Sequence, residues 1–301
     1  MTRAHAPGKI VLSGAYAVLS GAPAIVSAVS RYVTADTSRA ATFITDEVRA
    51  ALGPDEQAPW FDASELREGD RKLGLGSSAA ILVASLFALE QQREPEYPRL
   101  QQLMRVNARA QAAHRAAQGG GSGVDVAASC FGGTLAYRLG PSGGVSTSVK
   151  LPRELSVEVW TCPTSASTRD LITAVTALGQ RSPEEHAAWL GAQTSAAHAA
   201  ALSVERQDAA GFLAALRAQQ RALSSLGHAA GVPIVTPELA LAAPQAEAEN
   251  GVLLPAGAGG GDIAIFVGSA PSTPGLRAAL ENHAHRLLPV ELSAPGVAVL
   301  P

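Results

Sequence analysis

A glycine- and serine-rich segment, Gly74-Leu75-Gly76-Ser77-Ser78-Ala79, leads into an apolar stretch without glycine or proline that continues to residue 92. Glycine allows positive φ angles and a close approach of the backbone to a ligand. The N-terminus of a helix adds free N–H groups and a partial positive charge. Together these features predict a phosphate-binding loop. The alternative is a plain left-handed turn that begins a helix. The loop is neither a Walker A loop nor a GxGxxG fingerprint, because the residues that define those motifs are missing.

Two further glycine clusters each lie beside a single acid. The cluster at 119–123 precedes Asp125, a position suited to a carboxylate that accepts a proton from a substrate hydroxyl. An aspartate after glycine also often caps a helical turn, which is the alternative for Asp125. The cluster at 257–261 precedes Asp262 and an apolar strand, and it predicts either a close backbone approach to a ligand or a wide loop.

Lys9 follows Pro7-Gly8 directly before the first apolar run. A lysine in such a place could neutralise charge during phosphoryl transfer. By itself the residue has the signature of an ordinary surface lysine. Its role therefore depends on what the fold brings near it.

The composition describes a globular chain with a sizeable core. Its 301 residues are 47% hydrophobic and 16% charged, with a formal net charge of -3. This charge excludes a basic nucleic-acid footprint and a polybasic membrane patch. Cys130 and Cys162, without a CxxC pair, indicate buried thiols rather than a disulfide framework. No signal peptide or membrane span is recognisable, so we expect a cytoplasmic protein that binds a small molecule and is a monomer or a homodimer.

The spacing of apolar residues and the positions of glycine and proline predict a mixture of helices and strands. In the first half we expect strands over 9–14 and 23–36, a strand-like piece within the polar region at 41–45, and helices over 79–92 and 96–118. A linker is expected at 141–155, which divides the chain into domains at 1–150 and 151–301. The second half predicts strands at 156–162, 263–268 and 297–300, and helices from Ser167 or Thr168, at 183–203, 208–230, 237–250 and 275–284.

Three segments resemble, in order, the three motifs of the GHMP kinase superfamily. They are APGKIVLSGAYAVLSGAPAIVSAVSRY, KLGLGSSAAILVA and GAGGGDIAI, and they extend over nearly the whole chain. The resemblance implies an α+β fold. It further implies an ATP-binding domain like the second domain of ribosomal protein S5 at 1–150, and a ferredoxin-like domain at 151–301.

Finer details resemble the phosphomevalonate kinase branch of this superfamily. Lys72 stands two places before Gly74, as in that branch. Further segments with this likeness are AHRAAQG from Ala113, GSGVDVA from Gly121, Trp160-Thr161, Ala166-Ser167-Thr168 and GGGD from Gly259. Mevalonate kinases usually carry a glutamate near position 114 and HGxPSG before the aspartate, and diphosphomevalonate decarboxylases usually carry alanine at position 76.

The resemblance implies ATP- and Mg²⁺-dependent phosphorylation of 5-phosphomevalonate to 5-diphosphomevalonate in the mevalonate route to isoprenoids. Lys9 and Asp125 would be catalytic, the segment 74–79 would bind ATP, and Ser77 or Ser78 would lie near the metal. The residues implied on the substrate side are His114, Ser122, Gly123, Ser167, Thr168, Arg169, Gly257, Gly259, Gly260 and Gly261. The alternatives are another GHMP kinase, such as a mevalonate kinase, and a catalytically weak nucleotide-binding relative.

Two positions depart from the superfamily pattern. Ala15 stands where a glutamate is usual, and Leu254 stands where a lysine is usual. The loss of a charge at both positions bears on metal binding, substrate contacts and turnover.

Overall fold

The protein is described by a computed structural model that covers residues 1–141, 143–165 and 167–301. Ser142, within the predicted linker, and Ala166, in the segment likened to phosphomevalonate kinases, lie outside the described residues. The chain is α+β, as expected, with sheets and helices in both halves.

The chain forms two compact units that do not follow the predicted ranges in full. One unit comprises Met1–Ile10, Val26–Ser148 and Val290–Pro301, and the other comprises Val11–Ile25 and Val149–Pro289. The C-terminal segment joins the first unit because Val299 pairs with Ala4 in a sheet. The assignment of ATP binding to 1–150 stays a prediction.

Among the described residues, six strands form the sheet of the first unit, in the order β12-β1-β2-β6-β7 with β3 beside β2. The strands are β1 (Arg3–Ser13), β2 (Ala24–Ala40), β3 (Pro59–Asp62), β6 (Thr134–Gly140), β7 (Gly143–Val149) and β12 (Ala298–Val299). The short strands β4 (Arg67–Glu68) and β5 (Arg71–Lys72) form a separate hairpin. This unit therefore supplies a sheet that carries two of the glycine-rich loops, those at 74–79 and 119–123.

Four helices of the first unit are α1 (Asp46–Ala51), α2 (Ser77–Arg93), α3 (Arg99–Gln118) and α4 (Val124–Phe131). α2 is the central one: it contacts the other three, and its residues from Ala79 to Ala88 are all buried. A helix that is apolar on all sides belongs in a protein core. Its N-terminus, where the first glycine loop ends, is therefore firmly fixed.

The second unit has an antiparallel sheet in the order β11-β8-β10-β9. Its strands are β8 (Ser156–Thr161), β9 (Val252–Pro255), β10 (Ile263–Gly268) and β11 (Arg286–Leu287), and its helices are α5 (Thr168–Arg181), α6 (Pro183–Arg206), α7 (Ala209–Ala230), α8 (Pro237–Ala248) and α9 (Pro274–Asn282). Trp160 and Phe266 of this sheet pack against Leu239 of α8 and Leu276 of α9. Over the described ranges, no helix has the length and apolar character needed to cross a membrane.

Most predicted elements are confirmed, but one is wrong. The segment 141–155, expected as a linker, contains β7 in its first half, and the chain passes from the first unit to the second within it, after Ser148. The strand-like piece at 41–45 leads into a helix instead, because the Thr45 side chain accepts a hydrogen bond from Val48 N and caps α1. Short polar segments of this kind carry little periodicity, and local capping decides their structure.

His285 predicts acid sensitivity of the fold. Its side chain is buried, and this burial lowers the pKa below the ordinary value of about 6.5, although Glu238 opposes the shift. The unfolded chain takes up this proton below about pH 6.5 and the folded chain does so only at lower pH, so stability falls as the pH drops through that window. We expect the free energy of unfolding to fall less between pH 7.5 and pH 5.5 in His285→Leu than in the wild type. Chemical denaturation at both pH values measures this. His198→Leu, at an exposed position on α6, should keep the wild-type pH dependence, and parallel curves for His285→Leu and the wild type would refute the role of His285.

Candidate active site

The first glycine loop ends at the N-terminus of α2. Gly76 is the residue before the helix, with φ 78° and ψ 36°, and no side chain caps the helix at this end. The first N–H groups of an α-helix have no partner within it. The left-handed backbone of Gly76 is strained for other residues. The prediction of a glycine turn that presents a helix N-terminus is thus confirmed as geometry, and its role in ATP binding stays a prediction.

Lys9 and Asp125 lie against the same face of this loop. The Lys9 N–H donates to Leu75 O at 2.8 Å, which ties β1 to the loop. A Cβ built on Gly76 would lie 2.9 Å from Lys9 Cε and 3.6 Å from Asp125 Cβ. The fold therefore brings together two side chains that are far apart in the sequence. Over the described part of the chain, the structure shows no ion pair between them.

Asp125 does not act as a helix cap. It lies in the first turn of α4, whose N-cap is Gly123, and no side chain makes the capping hydrogen bond. Its carboxylate is 23% exposed, and His114 Nε2 lies 3.6 Å from its Oδ1. The Asp125 carboxylate thus lies at the N-terminus of α4 and close to Gly76, where it can orient a cation or an acceptor.

His114 is nearly buried, with 5% of its surface exposed. Its Nδ1 has no hydrogen-bond partner within the described ranges, and its Nε2 faces Asp125. The sequence reasoning assigned His114 to the substrate. The structure shows that His114 has a direct neighbour in Asp125, through which it can act.

A cavity of about 320 Å³ opens beside the N-terminus of α2, and the sequence reasoning missed it. Ser77 and Ser78 line it together with Phe43, Phe61 and Lys72. Phe43 is 66% exposed. Two of the six phenylalanines of the chain thus lie in the polar region around α1 and β3. Aromatic side chains in an otherwise polar segment are the sequence signal for a surface that binds a flat apolar group.

In the second unit, the loop 257–261 lies against the residues that precede α5. A Cβ on Gly261 would lie 2.6 Å from Thr164 O, and a Cβ on Gly259 would lie 2.2 Å from Ile234 O, so both positions require glycine for close backbone packing. Gly260 N donates to Ile234 O at 2.9 Å. These glycines serve packing within the unit. Gly257, where a Cβ would meet nothing within 4 Å, is the open position of the loop.

The predicted start of α5 is confirmed, because the Ser167 side chain accepts a hydrogen bond from Asp170 N at 3.3 Å. Thr168 and Arg169 are exposed in the first turn of the helix. The neighbouring Ser165 hydroxyl donates to Asp262 Oδ1 at 2.7 Å. This contact brings the segment before α5 and the glycine loop together within one unit.

The two departures from the superfamily pattern are both apolar packing positions. Ala15 is 9% exposed and packs in a cluster that includes Leu178 and Leu226, and Leu254 is 2% exposed on β9, paired with Ile265. A lone buried charge at either position would be unfavourable. The chain has therefore replaced the usual charges with well-packed apolar residues.

Comparisons with known proteins agree with this geometry. Residues 61–133 match the GHMP kinases N terminal domain. A phosphomevalonate kinase from Streptomyces sp. (strain CL190) is 30% identical over 230 residues, which are 67% of this chain and 59% of that relative. The chain thus spans 59% of the length of that relative.

Solved structures share the fold. The Lin0012 protein from Listeria innocua has a TM-score of 0.81 and 24% identity, with 99% of both chains covered. Streptococcus pneumoniae phosphomevalonate kinase, in complex with phosphomevalonate and AMPPNP, has a TM-score of 0.75 and 19% identity, with 97% of this chain and 100% of that chain covered.

The chain has the fold of the GHMP kinase superfamily, and its residues 61–133 match the N-terminal domain of that superfamily. Within that superfamily it is similar to the phosphomevalonate kinases, by sequence to the Streptomyces protein and by fold to the pneumococcal one. The match at 61–133 includes the second of the three motifs, which begins at Lys72. The roles of individual site residues remain predictions.

Proposed function

We propose that this chain is an ATP-dependent small-molecule kinase that transfers the γ-phosphoryl group of ATP to 5-phosphomevalonate, giving 5-diphosphomevalonate and ADP in the mevalonate route to isoprenoids. The observation that supports it best is the approach of Lys9 and Asp125 to Gly76 at the N-terminus of α2. The similarity to phosphomevalonate kinases supports the choice of acceptor.

ATP fits the loop and the cavity beside it. Gly76 has no side chain to block the approach of a ligand, and the first N–H groups of α2 can donate hydrogen bonds to phosphate oxygens. The adjoining cavity, with Phe43 and Phe61, provides apolar surface for the base, while Lys72 adds a cation. This cavity gives a proposed location for the adenine, which the sequence did not identify.

Mg²⁺ fits the same end of α2. It prefers oxygen ligands and usually keeps waters and substrate phosphates in its shell, with only one or two protein ligands. The hydroxyl of Ser77 or Ser78 and the carboxylate of Asp125 form such an oxygen-only donor set. When bound, the ion neutralises charge on the phosphates. Within the described residues there is no cluster of three or more acidic, histidine or cysteine side chains, as a protein-only metal site would need.

The acceptor in this reaction is a phosphate, which is already an anion, so little deprotonation is required. The protein's task is then positioning and charge neutralisation. Lys9 stabilises the transferring phosphoryl group. Asp125 orients Lys9 and the acceptor. His114 Nε2 lies 3.6 Å from Asp125 Oδ1.

Further contacts with the acceptor are assigned to the ends of two glycine loops and to the start of α5. In the first unit these are Ser122 and Gly123. In the second unit they are Ser167, Thr168, Arg169, Gly257, Gly259, Gly260 and Gly261. Among these, exposed Arg169 and the open Gly257 have the most room to meet a ligand.

Substrate choice tests the proposal. We expect clear activity on 5-phosphomevalonate and little on mevalonate, because the candidate cations Arg115 and Arg169 suit a phosphorylated acceptor. Initial rates of ADP release with mevalonate, 5-phosphomevalonate, homoserine and galactose measure this. An equal or higher kcat/KM on mevalonate would overturn the acceptor and retain the kinase class. ATP binding without turnover on any acceptor would favour a catalytically weak nucleotide-binding protein, which Ala15 and Leu254 make the second candidate.

A further inference from the structure

Two buried side chains donate hydrogen bonds to the loop 119–123, which precedes Asp125. Tyr137 on β6 is fully buried, and its hydroxyl donates to the carbonyl of Ser122. Gln111 on α3 is 3% exposed, and its Nε2 donates to the carbonyl of Gly123 at 2.8 Å. Neither residue belongs to the motifs that carry the superfamily resemblance.

The loop needs such anchors because its glycines are conformationally free. Gly119, Gly120, Gly121 and Gly123 all have positive φ, between 68° and 139°. Glycine resists rotation of the adjoining peptide planes least of all residues. Two hydrogen bonds to consecutive carbonyl groups remove much of that freedom.

The anchored Ser122 carbonyl also fixes the N–H of Gly123, whereas the N–H fixed by the Gly123 carbonyl, that of Val124, donates to Ser122 Oγ at 3.4 Å. In a planar trans peptide, the C=O of one residue and the N–H of the next point in opposite directions. With the Ser122 carbonyl turned toward buried Tyr137, the Gly123 N–H points away from the interior. Within the described ranges, the N–H groups of Gly121, Ser122 and Gly123 have no hydrogen-bond acceptor. They are free to meet an anion near Asp125.

The anchors themselves are firmly placed. Burial raises the pKa of Tyr137 to about 12, so its phenol stays protonated and remains a donor. Gln111 packs directly on the loop, since a Cβ on Gly123 would lie 1.7 Å from its Oε1. Gly144 on β7 leaves the space that the Tyr137 hydroxyl fills.

We propose that Gln111 and Tyr137 are positioning residues that hold the peptide planes at Ser122 and Gly123 so that the loop presents its N–H groups to the anionic acceptor beside Asp125. The expected change in the acceptor KM rests on the proposed kinase function. The expected change in the order of the loop does not depend on that function.

Three variants test the proposal. Tyr137→Phe removes only the hydroxyl, Gln111→Met keeps the length of the side chain without its donor, and Gly144→Ala displaces the Tyr137 hydroxyl from outside the loop. We expect each to raise the KM for 5-phosphomevalonate about tenfold. The KM for ATP should stay within about twofold, because the ATP loop is untouched. The ¹⁵N NMR order parameters of the backbone amides at 119–124, measured without ligand, should fall in all three, because the loop becomes less ordered.

Ser27→Ala is the matched control. It removes another buried hydroxyl of the first unit, one that accepts from Ser293 N at 2.9 Å, and it lies outside the proposed machinery. It should lower the melting temperature comparably without changing the acceptor KM or the order parameters of 119–124. A general loss of stability would affect Ser27→Ala and the three variants alike.

Unchanged order parameters of the loop in Tyr137→Phe and Gln111→Met, or an unchanged acceptor KM in both, would overturn the proposal. If the wild type uses a different acceptor, the proposed function fails and the same kinetics with that acceptor still decide on the two residues. If the wild type turns over no acceptor, the order parameters decide alone.

Discussion

A valine at position 76 is expected to lower ATP affinity by ~100-fold, or about 2.7 kcal/mol, while the chain still folds. The Cβ that it adds would lie 2.9 Å from Lys9 Cε, and the γ-carbons would extend over the N-terminus of α2 where phosphate oxygens should bind. Gly76 also has φ 78°, so a β-branched residue strains the turn itself. Isothermal titration with ATP and a thermal melt measure the two effects separately.

Gly231→Val provides the matched control for backbone strain. Gly231 has φ 71° at the end of α7, and a Cβ there would meet nothing within 4 Å. It should show a similar loss of stability and normal ATP affinity. Normal ATP titration of a folded Gly76→Val protein would rule out this loop as the ATP phosphate site.

The glycine loops and the long helices could be predicted from the sequence because each carries its own local signal. α2 is an uninterrupted apolar run after two glycines, and α3 ends at Gly119, as expected. The cap at Ser167 is likewise a property of a few neighbouring residues. Local chemistry of this kind needs no knowledge of the tertiary structure.

Contacts between distant segments could not be predicted in the same way. The approach of Lys9 to Asp125 follows from β1 lying beside the loop at Leu75, and only the resemblance to a known superfamily suggested it beforehand. The hydrogen bond from Tyr137 to Ser122 depends on how β6 packs behind the loop, and a lone tyrosine in a strand gives no sign of it. The division of the chain into units shows the same dependence, since the pairing of Val299 with Ala4 is a long-range contact.

Removal of Lys9 or Asp125 is expected to reduce kcat by about a hundredfold or more, about 2.7 kcal/mol, with little change in ATP affinity. In the proposed mechanism, the lysine stabilises charge that grows during phosphoryl transfer, and the aspartate orients the reacting groups. An interaction that belongs mainly to the transition state contributes to kcat more than to binding. Lys9→Met, Asp125→Asn and the double variant, assayed with saturating ATP and 5-phosphomevalonate, measure these effects.

The double variant distinguishes a working pair from two independent residues. Both side chains lie against Gly76, so loss of either should disable the same arrangement, and the double variant should be little worse than the poorer single one.

Two control variants lie outside this pair. Lys150→Met replaces an exposed lysine and should leave kcat unchanged. Asp208→Ala removes a true helix cap, bonded to Gly211 N at 2.8 Å, and should lower stability by about 1 kcal/mol without changing kcat. Asp125 makes no such cap, so Asp125→Asn should lower kcat and leave the stability nearly unchanged. Near-wild-type kcat in Lys9→Met, together with a melting shift as the sole effect of Asp125→Asn, would contradict a catalytic role for both residues.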